Sequence, residues 1–189
     1  MRSQSVALVL AMAVPLLGIA CSGGEQAAED SSPQVAAAPA VEMPDTTGAW
    51  VWEYLQAVGY RESFSLWPET SELYTGREPH GMLLTTYVND VARQALASGA
   101  LAMPEGAIVV KENYMPDSTF AAVTVMYKVS GYNPEHADWF FTKHLPSGEL
   151  DKMPNGMAME GRLPGCQNCH GGRRDNDYLF TSDLGGGGG

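Results

Sequence analysis

Residues 120–129 read FAAVTVMYKV. The run is rich in β-branched side chains and alternates with period two, placing Ala121, Val123, Val125, Tyr127 and Val129 on one face and Thr124 and Lys128 on the other. That pattern predicts a half-buried antiparallel strand. The Pro-Asp turn in YMPDST, residues 114–119, joins it to a preceding strand in MPEGAIVVKENYM, residues 103–115. A further strand is expected in MLLTTYVN, residues 82–89, and another in ADWFFTKHLPSGEL, residues 137–150, ending at Pro146 and the Ser-Gly turn.

Helical spacing occurs in two places outside this strand block. In TGAWVWEYLQAVGY, residues 47–60, Trp50, Tyr54, Leu55 and Val58 recur at three-to-four spacing behind Thr46 and Thr47, either of which can cap a helix. In NDVARQALASGA, residues 89–100, an Asn/Asp start and a Gly stop bracket Val91, Ala95 and Leu96 on one side. Strands with short connections and a few peripheral helices predict an α+β domain that is mainly antiparallel β-sheet. No fixed-period repeat is visible.

Composition sets the frame around that domain. Arg2, the apolar run VALVLAMAVPLLGIA and the small residue Ala20 before Cys21 predict a signal peptide over residues 1–20. A lipoprotein-type signal would make Cys21 the lipidated first residue of the mature chain and tether it to a membrane; the other reading is an ordinary cleaved signal. Either way the expected localisation is exported, in the periplasm or on the periplasmic side of a membrane. Residues 21–45, rich in Ala, Pro, Gly, Ser, Glu and Gln, are expected to be a flexible tether, and residues 182–189, ending in GGGGG, a disordered tail. Between them residues 46–181 suffice for one domain with a sizeable core. The formal charge of -11 argues against a nucleic-acid partner and suits a basic redox protein.

The chemistry concentrates in LPGCQNCHGG, residues 163–172, which holds Cys166 and Cys169 and, directly after them, His170. With only three cysteines in the chain, one of them Cys21, no disulfide framework holds the domain together. A structural zinc takes four protein ligands, and His80, His136 and His144 are scattered singly. A thioredoxin-like dithiol belongs at a strand-to-helix junction of a βαβ unit, which the sequence lacks, and has no use for the adjacent histidine. A covalent haem needs that histidine: two thiols on one helical turn bond one porphyrin, and the next imidazole falls beneath the iron. The pattern predicts a single haem c, attached near the C-terminus, with His170 as its iron ligand. After His170 there is no Met, His or Lys, so the expected iron is five-coordinate and open to a small-molecule substrate or gas ligand. Met115, Met126, Met153, Met157, Met159 and His80 are the upstream residues that offer a sixth ligand, as a simple electron-transfer cytochrome c would require.

The chain from about Leu73 to Thr181 resembles the cytochrome P-460 family. The likeness rests on PEGAIVVKENY (residues 104–114), AAVTVMYKVSGYNPEHADWFF (121–141) and GCQNCHGGRRDNDYLFT (165–181). The resemblance implies a mono-haem c protein in which a lysine on the strand after the P-x-G turn bonds through its amine to the porphyrin; Lys111 holds that position. It further implies a homodimer that oxidises hydroxylamine to nitric oxide or nitrous oxide and passes electrons to a soluble cytochrome c. A related branch, the β-sheet cytochromes c′, lacks the lysine bond and binds nitric oxide or carbon monoxide. Hydroxylamine oxidation calls for a base near the iron. Alternation points Glu112 away from Lys111, leaving Asp138, at the start of DWFF, as the expected distal base, with Phe120, Phe140 and Tyr114 as expected distal lining.

Overall fold

The computed structural model describes residues 42–185. The expected signal peptide, the lipidation site Cys21 and nearly all of the expected tether lie outside the described residues. Two helices come first among the described residues, α1 (Gly48–Val58) and the single turn α2 (Tyr60–Ser63), followed by short strands β1 (Ser65–Leu66) and β2 (Tyr74–Thr75). Then come β3 (Leu83–Val88), α3 (Asp90–Ala97), β4 (Ile108–Tyr114), β5 (Phe120–Lys128) and β6 (Trp139–His144). The last elements are β7 (Glu160–Gly161), α4 (Pro164–His170) and a short 3-10 segment, Gly171–Asn176. Among the described residues no helix is long and apolar enough to cross a membrane.

The seven strands form one antiparallel sheet in the order β1-β3-β4-β5-β6-β7, with β2 also paired to β3. This is the α+β architecture, mainly antiparallel sheet with peripheral helices, that the sequence predicts. Register lines residues up in rows across it. Thr86, Lys111, Thr124 and Lys143 are successive Cα partners, and so are Val88, Val109, Met126 and Phe141. Because side chains alternate with period two, both rows project from the same face.

The central strand departs from its expected half-burial. One face of β5 packs Val123, Val125 and Tyr127 into a cluster with Val51, Leu55 and Tyr60 of the opening helices; Met126, on the other face, belongs to a second cluster with Trp67, Trp139 and Phe141. Both faces are covered, so Lys128, expected at the solvent, is buried, its Nζ 2.6 Å from Asp177 and 4.7 Å from the Trp139 ring centre. The alternation also breaks at one end: Asn113 pairs with Ala122 but Tyr114 with Phe120. The extra residue is a bulge, and it turns Phe120 rather than Ala121 toward the α1 side, where Phe120 stacks with Tyr114.

Helix α1 begins as expected, with the Thr47 side chain accepting from the Trp50 amide, but its inward face is Gly48, Val51 and Leu55, while Trp50 is 57% exposed. The rotation is set at Gly48, whose amide donates to Glu160 and where a Cβ would lie 2.5 Å from Leu150. In α3 the fully buried positions are Ala92 and Ala95, with Val91 and Leu96 flanking them, and Asn89 caps the helix through Ala92 N. Of the expected tail, residues 186–189 lie outside the described residues, while Ser182 and Leu184 are held in place. Ser182 Oγ accepts from Trp67 Nε1, Leu184 N donates to Asn176, and Leu184 packs against the core.

Candidate functional site

Pro164 at the start of α4 fixes the backbone for a helix without sacrificing a hydrogen bond, since first-turn amides have no helical partner. The helix that follows places Cys166 and Cys169 one turn apart as free thiols, with His170 at its end. Two consecutive left-handed residues, Asp177 (φ 50°) and Tyr178 (φ 68°), then fold the chain back. The fold-back brings the Tyr178 carbonyl to 2.7 Å from His170 Nδ1, which donates to it. The other ring nitrogen, Nε2, is thereby left with its lone pair.

Asp177 fastens that turn to the rest of the molecule. Its Oδ1 accepts from Lys128 Nζ, its Oδ2 accepts from Met103 N at 2.7 Å, and its backbone carbonyl accepts from Trp139 Nε1 at 2.8 Å. Asn176 next to it donates to the carbonyls of Leu179 and Ser182, both at 2.7 Å. These anchors escaped the sequence reading. The signal was in the stretch RRDNDYLF, where Asn and Asp tolerate left-handed backbone and can bond locally.

A cavity of about 280 Å³ lies between α4 and the sheet. Gly165, Cys166, Cys169 and His170 form one wall. Val109, Lys111, Thr124, Met126, Phe141 and Lys143, the two rows described above, form the other. Pro79 and His80 from the loop after β2, with Leu179, Phe180 and Thr181, close the sides. Lys111 therefore faces the two thiols and the His170 imidazole, although it lies more than fifty positions earlier in the chain.

Burial sets the protonation of these groups. Lys111 is lowered to about 8, first by desolvation and then by the nearby Arg77 charge. His80 is pushed down to about 3 by burial, with Lys111 and His170 adding to the effect. His170 is lowered by burial against the opposing pull of the Tyr178 carbonyl, and burial pushes the Cys166 thiol up. Burial thus favours the neutral form of both histidines, the form in which an imidazole binds metal.

The remaining expectations about the site fare unevenly. Asp138 is not in the cavity: it sits at φ 59° in the turn before β6, where its carboxylate accepts from the Asn133 amide at 2.8 Å. The expected distal base Asp138 is therefore corrected; the carboxylate of the adjoining pocket, which shares His80, Lys111, Cys169 and His170, is Glu78. Phe120, Phe140 and Tyr114 are corrected as well, since all three project from the opposite face of the sheet, and Phe141 takes the cavity position one residue on. Glu112 points away from Lys111 as expected, yet it is 1% exposed rather than solvated. It accepts from Tyr60, Arg61 and Tyr114, each at 2.6 Å. Of the sulfur candidates, Met126 and Met159 reach the cavity, while Met115 and Met157 are exposed and Met153 packs beside the core.

The donor set fits a covalent haem: two free thiols on one turn, an adjacent imidazole with its outer nitrogen already bonded, and a largely apolar facing wall. The family model described as Cytochrome P460 matches residues 58–181. No curated protein matches the chain.

Proposed function

The chain belongs to the cytochrome P460 family of haem proteins, and from that premise we propose that it is an exported haem c enzyme that oxidises hydroxylamine to nitric oxide or nitrous oxide. Cys166 and Cys169 would hold the haem by thioether bonds and His170 Nε2 its iron, with substrate entering on the opposite side, where the sequence predicts an open position. The bound haem supplies redox chemistry at iron. A soluble cytochrome c would take the electrons, and a basic one suits the formal charge of -11. Export, lipidation at Cys21 and a homodimer belong to the same proposal.

The observation that carries this reading is the position of Lys111. Its side chain lines the cavity shared by Cys166, Cys169 and His170. Its lowered pKa makes the neutral, bond-forming amine accessible near neutral pH. Thr86 and Thr124 flank it in register, which fixes the backbone from which the amine reaches. Met126, Phe141, Leu179 and Phe180 exclude water from the reacting face.

Substitution Lys111→Ala tests the proposal. The expected result is an absorption spectrum returned to that of plain haem c together with loss of hydroxylamine turnover; the mass of the haem peptide after proteolysis shows whether Lys111 is joined to it. An unchanged spectrum would sink the cross-link. The apolar wall then favours the second reading, an uncross-linked binder of nitric oxide or carbon monoxide.

A further inference from the structure

A second imidazole lines the same cavity as His170. His80 is tied to the sheet wall, with its Nδ1 3.2 Å from Thr124 Oγ1. The Thr124 hydroxyl is also 3.3 Å from the Lys111 carbonyl; with its one proton given to that carbonyl, it accepts from His80 Nδ1–H. That leaves His80 Nε2 with a lone pair and no hydrogen-bond partner among the described residues. His170 is arranged in the same way from the helix wall, its Nδ1–H given to the Tyr178 carbonyl. A ring N–H held by an oxygen, with the other nitrogen free, is the usual state of a histidine poised to ligate metal.

The separation of the two rings is the second observation. Their centroids are 6.0 Å apart and their planes nearly perpendicular, at 86°. Two imidazoles sharing one metal, each at a metal–nitrogen distance of about 2 Å, place their ring centres about 6 Å apart. A distal histidine that left room for a substrate between itself and the iron would stand further off. Both imidazoles line the cavity between α4 and the sheet, within the separation that lets them share one metal.

We propose that His80 is the second axial ligand of the resting haem, through Nε2, and that substrate or gas gains the iron by displacing it. The proposal rests on haem attachment at Cys166, Cys169 and His170, and is independent of any bond from Lys111. It replaces the open sixth position expected from the ligand-poor tail with a closed, exchangeable one. The exchange is redox-neutral: the bond from His80 Nε2 breaks, one to the incoming nitrogen forms, and the freed imidazole keeps its bond to Thr124.

The experiment compares the holo full-length protein with His80→Ala and His80→Gln by electron paramagnetic resonance and absorption of the ferric state. The expected wild-type signal is low-spin, converting to high-spin in both variants, and added imidazole restores the low-spin signal to His80→Ala. Cyanide should bind His80→Ala at least about tenfold more tightly, since a closed state populated above nine-tenths weakens apparent affinity by that factor. A high-spin wild type whose spectrum neither variant changes overturns the proposal. If the spin state converts while hydroxylamine is never consumed, the ligand assignment stands and the hydroxylamine reading fails. If a high-spin wild type consumes hydroxylamine, that reading stands and the ligand assignment fails.

Discussion

The ion pair between Lys128 and Asp177 is the most consequential contact that lies outside the cavity wall. Both side chains are nearly buried, at 11% and 5% exposure, with Nζ 2.6 Å from Oδ1. Asp177 also accepts the Met103 amide, and its neighbour Tyr178 supplies the carbonyl that orients His170. Lys128→Met removes the cation and leaves an anion in a site with little water, for which the cost is about 3–5 kcal/mol. For a domain of this size that corresponds to a fall in Tm of roughly 10–20 °C. Asp177→Asn should cost a similar amount by stranding the ammonium. In Lys128→Met/Asp177→Asn both charges are gone, so the double variant should recover most of the loss. Thermal and urea unfolding of the four proteins in a double-mutant cycle give the coupling directly. A cost below about 1 kcal/mol for either single variant, or strict additivity in the double, would refute the reasoning, since it would show the pair to be as weakly coupled as one at the surface.

Three other outcomes follow from the placement of side chains on the two faces of the sheet. Phe140→Ala and Phe141→Ala should each destabilise by about 3–5 kcal/mol, but only Phe141→Ala, which opens the cavity wall, should shift the haem absorption bands; equal shifts from both would contradict the facing. Glu112→Gln leaves Tyr60, Arg61 and Tyr114 facing a weaker acceptor; a loss of about 1–3 kcal/mol is expected in urea unfolding, with an unaltered haem spectrum. In the chain without the Lys111 bond, acylation of that amine should have its midpoint near pH 8 instead of about 10.4. The unfolded chain holds the Lys111 proton over that interval while the folded one has released it, so stability should rise as pH climbs from about 8 to about 10.4; a fall across that range would reverse the sign.

Much of the site's chemistry is local and was legible without coordinates. Thiols and imidazole in CQNCH lie within one helical turn, so spacing alone brings them together. Strand existence was legible too, because period-two alternation is a property of the chain. Which faces are covered is not. Lys128 and Thr124 carry the polar side of an alternating strand and were read as facing water, yet both lie under elements contributed from elsewhere, Asp177 for the first and His80 for the second. The distal expectations failed for the same reason. Phe140 and Phe141 are indistinguishable by type, and parity relative to Lys111 is set by pairing register across two strand junctions.

The sequence by itself predicted a haem anchor at Cys166, Cys169 and His170 and an antiparallel α+β domain, since helical spacing and strand alternation depend only on neighbours along the chain. Tertiary structure alone decided what faces that motif. Cross-strand register puts Lys111 and Thr124 side by side, a loop carries His80 onto Thr124, and a left-handed turn carries the Tyr178 carbonyl to His170. Those meetings join residues 8 to 44 positions apart, and the register and loop closure that make them are set by packing of the whole domain, which no local pattern encodes.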